Sequence, residues 1–217
     1  MNKLTLAAGV AAMTVSGMAF ADLEYIVDGA GVGIPDDLYD GSFGSMAFVS
    51  VDVAESLSIT DVDIIVDIIV DIEHTWVGDL TMKLMAPSGA VADLVSRAGY
   101  AEPADDGSGC CGSSSDLIFG NEYLFDDAAM TSSEFMGDAG NPVPSGSWSS
   151  SGFGNTLGLT GLNGLDSAGT WTLYVGDGAG GDTGILDGFT LRIAGTPTPG
   201  ALALLGLAGL APPRRRR

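Results

Sequence analysis

Four aspartates occupy turn-like positions from which their carboxylates could bind a metal ion. Asp79 follows a turn glycine, and Asp177, Asp182 and Asp187 lie in one glycine-rich stretch towards the end of the sequence. Carboxylate and carbonyl oxygens are the ligands that Ca²⁺ takes, and glycine lets a backbone bend tightly enough to present them. We therefore predict a calcium site formed by these residues; the alternative is that each carboxylate hydrogen-bonds the amides of its own turn.

The chain contains a single histidine, His74, beside Thr75 and Trp76. It could be a metal ligand, but its place in an alternating pattern favours a core histidine with one ring nitrogen hydrogen-bonded. A serine-protease triad would need this inward residue as its base, and the sequence has no G-x-S-x-G motif. We therefore predict no catalytic residues and no enzymatic activity.

Trp148 lies among serines in a stretch without regular periodicity. Such a position predicts an exposed indole, which offers a partner a large apolar surface with one polar atom. Trp148 is therefore a candidate partner contact, and a carbohydrate-binding module is one alternative function.

The two cysteines, Cys110 and Cys111, are neighbours in sequence. Three states are open for them: a strained vicinal disulfide, a disulfide with another molecule, or a pair of reduced thiols in an exposed loop. Neighbouring cysteines cannot close a long loop, so the hydrophobic core must stabilise the domain without that constraint.

The sequence is strongly acidic, with a formal net charge of -20 from 28 acidic and 8 basic side chains. Such a surface repels nucleic-acid phosphates and anionic lipid headgroups, and it attracts divalent cations and cationic partners. Nucleic acid is therefore not expected as a partner, whereas calcium is the expected cofactor.

The elements that must position these residues are predicted to be strands. Alternating apolar and acidic residues predict one long strand over 61–76, with Val62 and Ile64 on its inner face. A turn and a second alternating run follow it, which predicts a hairpin. Further strands are predicted at 45–53, 90–95, 116–119, 170–175 and 185–193, and the stretch 126–164 is interpreted as a loop.

Strands at both ends of one domain, joined through an irregular middle, predict an all-β fold, a single jelly-roll or Greek-key β-sandwich. The domain is expected at 22–195. Residues 1–21 are predicted to be a secretion signal, because Lys3 and an apolar run precede an A-x-A sequence that ends at Ala21. The protein is therefore expected to be exported to the cell surface or the extracellular space.

Four sequence blocks together resemble one known family. They are IPDD at 34–37, IEHTWVGDLTMKLMAPSG at 72–89, LFDDAA at 124–129 and LNGLDSAGTWTLYVGDGAGGDTGILDGFTLRI at 162–193. In this order they resemble the P domain, also called the P/Homo B domain, of proprotein convertases. The resemblance implies a jelly-roll sandwich that packs against and stabilises a subtilisin-like serine protease without supplying catalytic groups.

The tail at 196–217 resembles a PEP-CTERM sorting signal. A proline-containing motif precedes a short apolar segment and an arginine cluster at 214–217. This resemblance implies processing by an exosortase-like enzyme. It also implies transient association with the inner membrane, with the arginines retained on the cytoplasmic side.

These observations lead to three hypotheses for function. The main one is an exported, non-catalytic structural or adhesion module of the bacterial cell surface or extracellular matrix, stabilised by calcium, with a matrix component as partner. The second is an accessory domain that binds and stabilises a separate subtilisin-like protease. The third is the carbohydrate-binding module that depends on Trp148.

Overall fold

The computed structural model describes residues 20–67, 74–100, 104–109, 111–118, 120–151 and 157–198. Its strands are listed here in chain order: β1 Ala21–Val27, β2 Val32–Gly33, β3 Ala47–Val53, β4 Leu57–Asp67, β5 Leu80–Met85, β6 Val91–Ser96, β7 Glu122–Phe125, β8 Gly146–Trp148, β9 Gly169–Asp177, β10 Ile185–Leu186 and β11 Phe189–Pro197. Short 3-10 helices lie at Phe43–Ser45, Val77–Asp79, Ser133–Ala139 and Leu159–Leu162.

The strands form two main sheets that pack face to face. One is five-stranded with the order β1-β11-β4-β7-β8, and the other is four-stranded with the order β3-β9-β5-β6; β2 and β10 form a small separate pair. Pairings are antiparallel except between β7 and β8. The structure is therefore the predicted all-β sandwich, in which the first and last strands are neighbours.

The core lies between the two sheets because alternate residues of the central strands point inward. On β9, Trp171, Leu173 and Val175 are all buried, and on β11 the inward residues include Phe189 and Leu191. These side chains form one contiguous cluster with residues of the opposite sheet. Removing them from water is the main force that holds the sandwich together.

The alternating pattern at the start of the predicted long strand is confirmed. Val62 and Ile64 are buried on β4, while Asp61 is exposed on the opposite face. Where β11 pairs with β4, the register shifts between Ala194 and Gly195. Because of this shift, the residues of β4 that precede Asp61 alternate between core and solvent in the opposite phase. The described strand ends at Asp67, and the predicted continuation through 68–73 lies outside the described residues.

The predicted hairpin between the first two alternating runs is wrong. β4 pairs with β11 and β7, whereas β5 pairs with β9 and β6, so the two strands lie in different sheets. The 3-10 helix at Val77–Asp79 leads into β5 and does not reverse the chain onto β4. The hairpin partner of β5 is β6, joined to it through the turn at Pro87 and Ser88.

The predicted strand at 185–193 is interrupted in the structure. β10 pairs with β2, and β11 pairs with β1 and β4, so the chain changes partners at Asp187 and Gly188. A Cβ atom on Gly188 would lie 1.9 Å from the carbonyl oxygen of Val27. Only glycine permits this close backbone approach, which sequence alternation alone does not reveal.

The middle of the chain is more regular than predicted. Within the stretch interpreted as a loop, β8 pairs in parallel with β7, and two of the four 3-10 helices lie there, Ser133–Ala139 and Leu159–Leu162. These elements have between 3 and 7 residues, too few for a hydrophobic period to be recognised. The strand predicted at 116–119 is reduced to one bridge between Leu117 and His74.

The two terminal segments predicted to direct export and sorting fall largely outside the described residues, which begin at Phe20 and end at Thr198. Over the part of the chain that the structure describes, there is no helix with the length and hydrophobicity needed to cross a membrane.

Candidate functional site

The site is built around the 3-10 helix at Val77–Asp79, where the chain enters the four-stranded sheet. Asp79 is the last residue of this helix and is only 2% exposed. Its main-chain carbonyl accepts a hydrogen bond from the amide of Gly178, at the end of β9. The turn that carries Asp79 is therefore tied to the glycine-rich stretch that carries the three other predicted aspartates.

His74 and Asp177 form a buried pair behind Asp79. The Nε2 atom of His74 lies 3.1 Å from Oδ2 of Asp177, and the histidine is 0% exposed. The Nδ1 atom of His74 lies 3.1 Å from the carbonyl oxygen of Trp76 and 3.3 Å from its amide nitrogen. The prediction of a core histidine is confirmed, although both ring nitrogens make contacts where only one was expected.

Asp177 is fully engaged in local structure. One carboxylate oxygen contacts His74, and the other accepts a hydrogen bond from the amide of Ala179 at 2.9 Å. This contact to an amide two residues ahead is the turn geometry that was the alternative to metal binding. Asp177 therefore positions the loop and the histidine.

A cavity of about 420 Å³ opens beside this pair. It is lined by three carboxylate residues, one indole, one cysteine and backbone of two glycine-rich loops: Asp37, Trp76, Asp79, Gly109, Cys111, Gly178, Ala179, Gly180 and Asp182. Asp182 accepts a hydrogen bond from the hydroxyl of Thr75. The structure thus brings Asp79 and Asp182 to one cavity, with Asp177 next to it.

The carboxyl group of Asp79 is in an unfavourable environment. Its Oδ1 atom is buried without a hydrogen-bond partner. Burial first, and then the negative charge of Asp177, raise the pKa of Asp79 to about 6, although Arg97 and His74 act in the opposite direction. A buried carboxylate that lacks compensation costs free energy, so this group needs a positive partner to be stable in its charged form.

Arg97 is the main positive group near the cavity, and it was not singled out from the sequence. The side chain is fully buried, and two of its nitrogens donate to the carbonyl oxygens of Ser108 and Gly109, each at 3.0 Å. The guanidinium carbon lies 4.7 Å from the ring centroid of Tyr100. Arg97 therefore orders the loop that forms one wall of the cavity.

Two residues that line the cavity were also missed as site residues. Asp37 belongs to the IPDD block, and its φ of 55° lies in the left-handed region that few non-glycine residues adopt. Trp76 has a buried Nε1 atom without a hydrogen-bond partner. In the sequence, Asp37 is marked only by its place in an acidic pair that follows a proline. Because Asp37 and Asp79 are far apart along the chain, the sequence does not show that they lie close together.

Asp187, the fourth predicted ligand, has a different role. It is buried, and its two carboxylate oxygens accept hydrogen bonds from the amides of Gly29 and Gly31 at 3.2 and 2.9 Å. The amide of Ala30 also donates to the Asp187 carbonyl. Asp187 thus fixes the loop that follows β1, and it does not line the cavity that contains Asp79.

The expectation that Trp148 is exposed is wrong. Trp148 is the last residue of β8 and is only 5% exposed, as part of the hydrophobic core. The serine-rich surroundings suggested a loop, but pairing with β7 turns the indole inward. The candidate partner contact at this position is therefore lost.

Cys111 is disulfide-bonded. The only other cysteine of the sequence, Cys110, lies outside the described residues. The sequence left three states open for Cys110 and Cys111. The disulfide bond at Cys111 excludes the state with two reduced thiols.

Comparison with known proteins gives a family match over part of the chain. The family model for the proprotein convertase P-domain matches residues 65–109, which extend from the end of β4 through β5 and β6 to the wall of the cavity. This match supports the P-domain family. No curated protein matches the chain.

Two solved structures from Aeromonas sobria are similar to the chain. One is a complex of a serine protease with a chaperone, at 16% identity and a TM-score of 0.44, covering 83% of this chain and 28% of that chain. The other is the serine protease, at 16% identity and a TM-score of 0.45, covering 85% of this chain and 28% of that chain. The present chain therefore spans little more than a quarter of the length of either.

Proposed function

We propose that the chain is an exported, non-catalytic module that acts by contacting other macromolecules at the cell surface or in the extracellular matrix. The observation that carries the non-catalytic part is the position of His74. This single histidine is 0% exposed, and contacts to Asp177 and Trp76 occupy both of its ring nitrogens. It cannot meet a substrate as a general base, and the family match points to the same kind of accessory domain.

An exposed aromatic cluster on the four-stranded sheet supports a contact role. We call Phe43, Phe48 and Tyr174 the aromatic patch. Phe48 is 57% exposed and lies on β3 opposite Tyr174 of β9, with ring centroids 5.8 Å apart; the centroid of Phe43 lies 4.7 Å from that of Tyr174. Exposed aromatic clusters are a common feature of protein interfaces.

Phe43 of the aromatic patch also contacts a buried lysine side chain. The Nζ atom of Lys83 lies 6.0 Å from the ring centroid of Phe43 and 5.5 Å from that of Tyr39. Lys83 is in turn held by an ion pair with Asp105. A side chain that is held in place before binding loses less entropy on binding, so this contact at Phe43 would favour affinity.

Export and sorting form part of the proposal and rest on the sequence. The secretion signal at 1–21 would bring the domain out of the cytoplasm. The tail at 196–217 would hold it briefly at the inner membrane until an exosortase-like enzyme releases it to the surface.

The experiment that tests the contact role compares surface retention of the wild type with that of Phe48→Ser. We expect the variant to be exported normally but released into the medium at least several-fold more, because the most exposed ring of the aromatic patch is lost. The matched control is Ile26→Ser, since Ile26 is 62% exposed on β1 of the other sheet. Retention of Phe48→Ser at the wild-type level, with Ile26→Ser unchanged, would rule out the aromatic patch as the contact surface.

The second candidate is an accessory domain that binds a separately encoded subtilisin-like protease. The family match favours it, because the family description is that of a domain of proprotein convertases. Purification of the tagged native protein, followed by labelling with a fluorophosphonate probe, separates the two candidates. A labelled serine protease in stoichiometric amount would favour the accessory role, whereas matrix components without a labelled band would favour the surface module.

The carbohydrate-binding alternative depended on an exposed Trp148. Because that indole is buried, we do not carry this function forward as a proposal.

A further inference from the structure

We propose that the cavity beside the 3-10 helix at Val77–Asp79 is a docking pocket for an arginine side chain of a partner protein. The guanidinium group would donate hydrogen bonds to the carboxylate of Asp79 and lie against the indole of Trp76. The cavity shares no residue with the aromatic patch, so this inference goes beyond the contact surface described above and does not depend on it.

The strongest observation is the unpartnered carboxylate oxygen of Asp79. This residue lines the cavity and is only 2% exposed, and its Oδ1 atom has no hydrogen-bond partner. Buried polar atoms are almost always paired. An orphan acceptor beside an open cavity therefore indicates a donor that the domain itself does not supply.

The electrostatic environment of Asp79 favours a positively charged donor. Burial and the charge of Asp177 raise the pKa of Asp79 to about 6, and Asp182 adds to this effect. Arg97 and His74 oppose the rise without cancelling it. A cation bound in the cavity would stabilise the charged form of the Asp79 carboxyl group.

The carboxylates of the cavity do not suit a metal ion. Within the described ranges, no group of three or more His, Cys, Asp or Glu side chains could hold one, and Asp182 already accepts a hydrogen bond from Thr75. The structure therefore gives no support to the calcium site predicted from the sequence. A guanidinium group makes a different demand, because its five N–H donors form a planar fork that needs one carboxylate and a few further acceptors.

The indole of Trp76 favours arginine over lysine. Trp76 is partly buried and lines the same cavity as Asp79. A guanidinium stacks on an aromatic face and can bind a carboxylate through two parallel N–H bonds, whereas an ammonium group is a point charge. The domain already contains such an arrangement at Arg97, whose guanidinium carbon lies 4.7 Å from the ring centroid of Tyr100.

The walls of the pocket are tied together within the domain. The amide of Gly181 donates a hydrogen bond to Asp36 at 3.0 Å, and a Cβ atom on Gly180 would lie 3.3 Å from Cβ of Asp37. The cavity volume of about 420 Å³ lies in the range of pockets that hold small ligands. A pocket that exists before binding needs little reorganisation to accept a side chain.

The charge of the whole molecule favours a basic protein as the source of the arginine. The formal net charge is -20, and a surface of this kind attracts cationic partners and speeds their approach. Free arginine carries an additional carboxylate, which the acidic walls of the cavity would repel. A segment of another protein that presents an arginine side chain is therefore the expected occupant.

The test is an NMR titration of the isotope-labelled full-length protein with the peptide Ac-Gly-Arg-Gly-NH₂. We expect saturable shifts of the indole N–H signal of Trp76 and of the amide signals of residues 178–180, which line the cavity. The same peptide with citrulline, which has the shape of arginine without its charge, should bind about tenfold more weakly or worse. Free arginine should also bind more weakly than the arginine peptide.

Two variants locate the pocket. Asp79→Asn should weaken binding of the arginine peptide about tenfold or more, and Asp37→Asn should weaken it several-fold. Asp37 is exposed, and asparagine tolerates its φ of 55°, so this variant tests the pocket even if Asp79→Asn does not fold.

The matched control is Asp63→Asn. Asp63 also has a buried Oδ1 without a hydrogen-bond partner, but it does not line this cavity. Asp63→Asn should therefore bind the arginine peptide like the wild type.

Three results would overturn the proposal. The first is an absence of saturable shifts at Trp76, which would leave water as the partner of the Asp79 oxygen. The second is equal binding of the arginine and citrulline peptides, or equal loss of binding in Asp63→Asn and Asp37→Asn, which would mean that no specific guanidinium contact exists. The third is tighter binding of free arginine than of the peptide, which would indicate a small-molecule site.

Discussion

At the scale of single residues, Glu134 is a buried acid that lies outside the cavity. Glu134 lies in the 3-10 helix at Ser133–Ala139, is 6% exposed, and accepts a hydrogen bond at Oε1 from the amide of Ser96. Burial raises the pKa of Glu134 to about 7, and the charge of Asp93 on β6 adds to this, while hydrogen bonds from Ser151 and Ser96 oppose it.

This shift predicts how stability depends on pH. The folded-state pKa of Glu134 lies above the unfolded value, so its protonation favours folding: the stabilisation is complete below about 4.5 and disappears as pH rises through about 7. Between pH 8 and pH 6, in EDTA, we expect the free energy of unfolding to increase by about 1 kcal/mol. Denaturant unfolding at both pH values measures it.

The variant Glu134→Gln should remove most of this increase, because it keeps the hydrogen-bonding shape but removes the charge. The smaller remainder belongs to Asp63 and Asp79, whose pKa values are also raised, to about 6. Glu122→Gln is the control, since Glu122 is exposed on β7. If Glu134→Gln retained the whole difference between pH 8 and pH 6, the assignment to Glu134 would be wrong.

The sequence predicted part of the site at this scale. Asp79 and Asp182 could be found because aspartate beside glycine marks turns that can present oxygen ligands. Asp37 could not be assigned to the site, because its proximity to Asp79 depends on how loops from distant parts of the chain pack. Trp76 directly precedes the 3-10 helix that carries Asp79, but the sequence does not show that it lines the cavity. The same limit hid the pairing of His74 with Asp177, 103 positions apart.

At the scale of elements, the entry into β5 depends on very close backbone packing. The amide of Gly78 donates to the carbonyl of Ser113, and a Cβ atom on Gly78 would lie 2.3 Å from Cα of Gly112. Backbone atoms cannot move away as a flexible side chain could. This contact fixes the 3-10 helix that carries Asp79 against the loop on the other side of the cavity.

We therefore expect Gly78→Ala to lower the free energy of unfolding by about 3 kcal/mol or more, through overpacking against backbone. Gly33→Ala is the matched control, since a Cβ atom at Gly33 would meet no atom within 4 Å. Chemical denaturation of both variants provides the comparison. A Gly78→Ala protein as stable as Gly33→Ala would show that the turn and the loop are not packed as described.

Alternation identified strands but not their partners. Period-two patterns correctly located β3, β5, β6 and β9, because each has one buried and one polar face or a sustained apolar run. Sheet membership depends on connections, so a short segment that leads from one sheet to the other was mistaken for a hairpin. The three-residue strand β8 and its parallel pairing with β7 leave almost no periodic signal.

At the scale of the whole molecule, acidic residues cover the outer face of the five-stranded sheet. Asp22, Glu24, Asp61 and Asp63 line a shallow groove of about 290 Å³ around Arg192. Arg192 donates to the carboxylate of Glu24 at 2.7 Å. With a net charge of -20, this face discourages association of the sheets of different molecules, whereas the aromatic patch lies on the opposite sheet.

This distribution suits a module that binds its partner through the four-stranded sheet, while the acidic face of the five-stranded sheet discourages association between molecules. The family match and the buried histidine support a role without catalysis. The secretion signal predicted at 1–21 and the sorting tail predicted at 196–217 are the basis for the proposal of where that role is carried out. The central proposal is that the domain works outside the cytoplasm, after its two terminal segments have been processed.

The most direct test is fractionation of cells that produce the native protein, with intact mass and both mature termini read from each fraction. The account predicts a chain that begins at Asp22, has lost the arginines at 214–217, and is found at the cell surface or in the matrix. A chain that keeps residues 1–21 and remains inside the cell would contradict it.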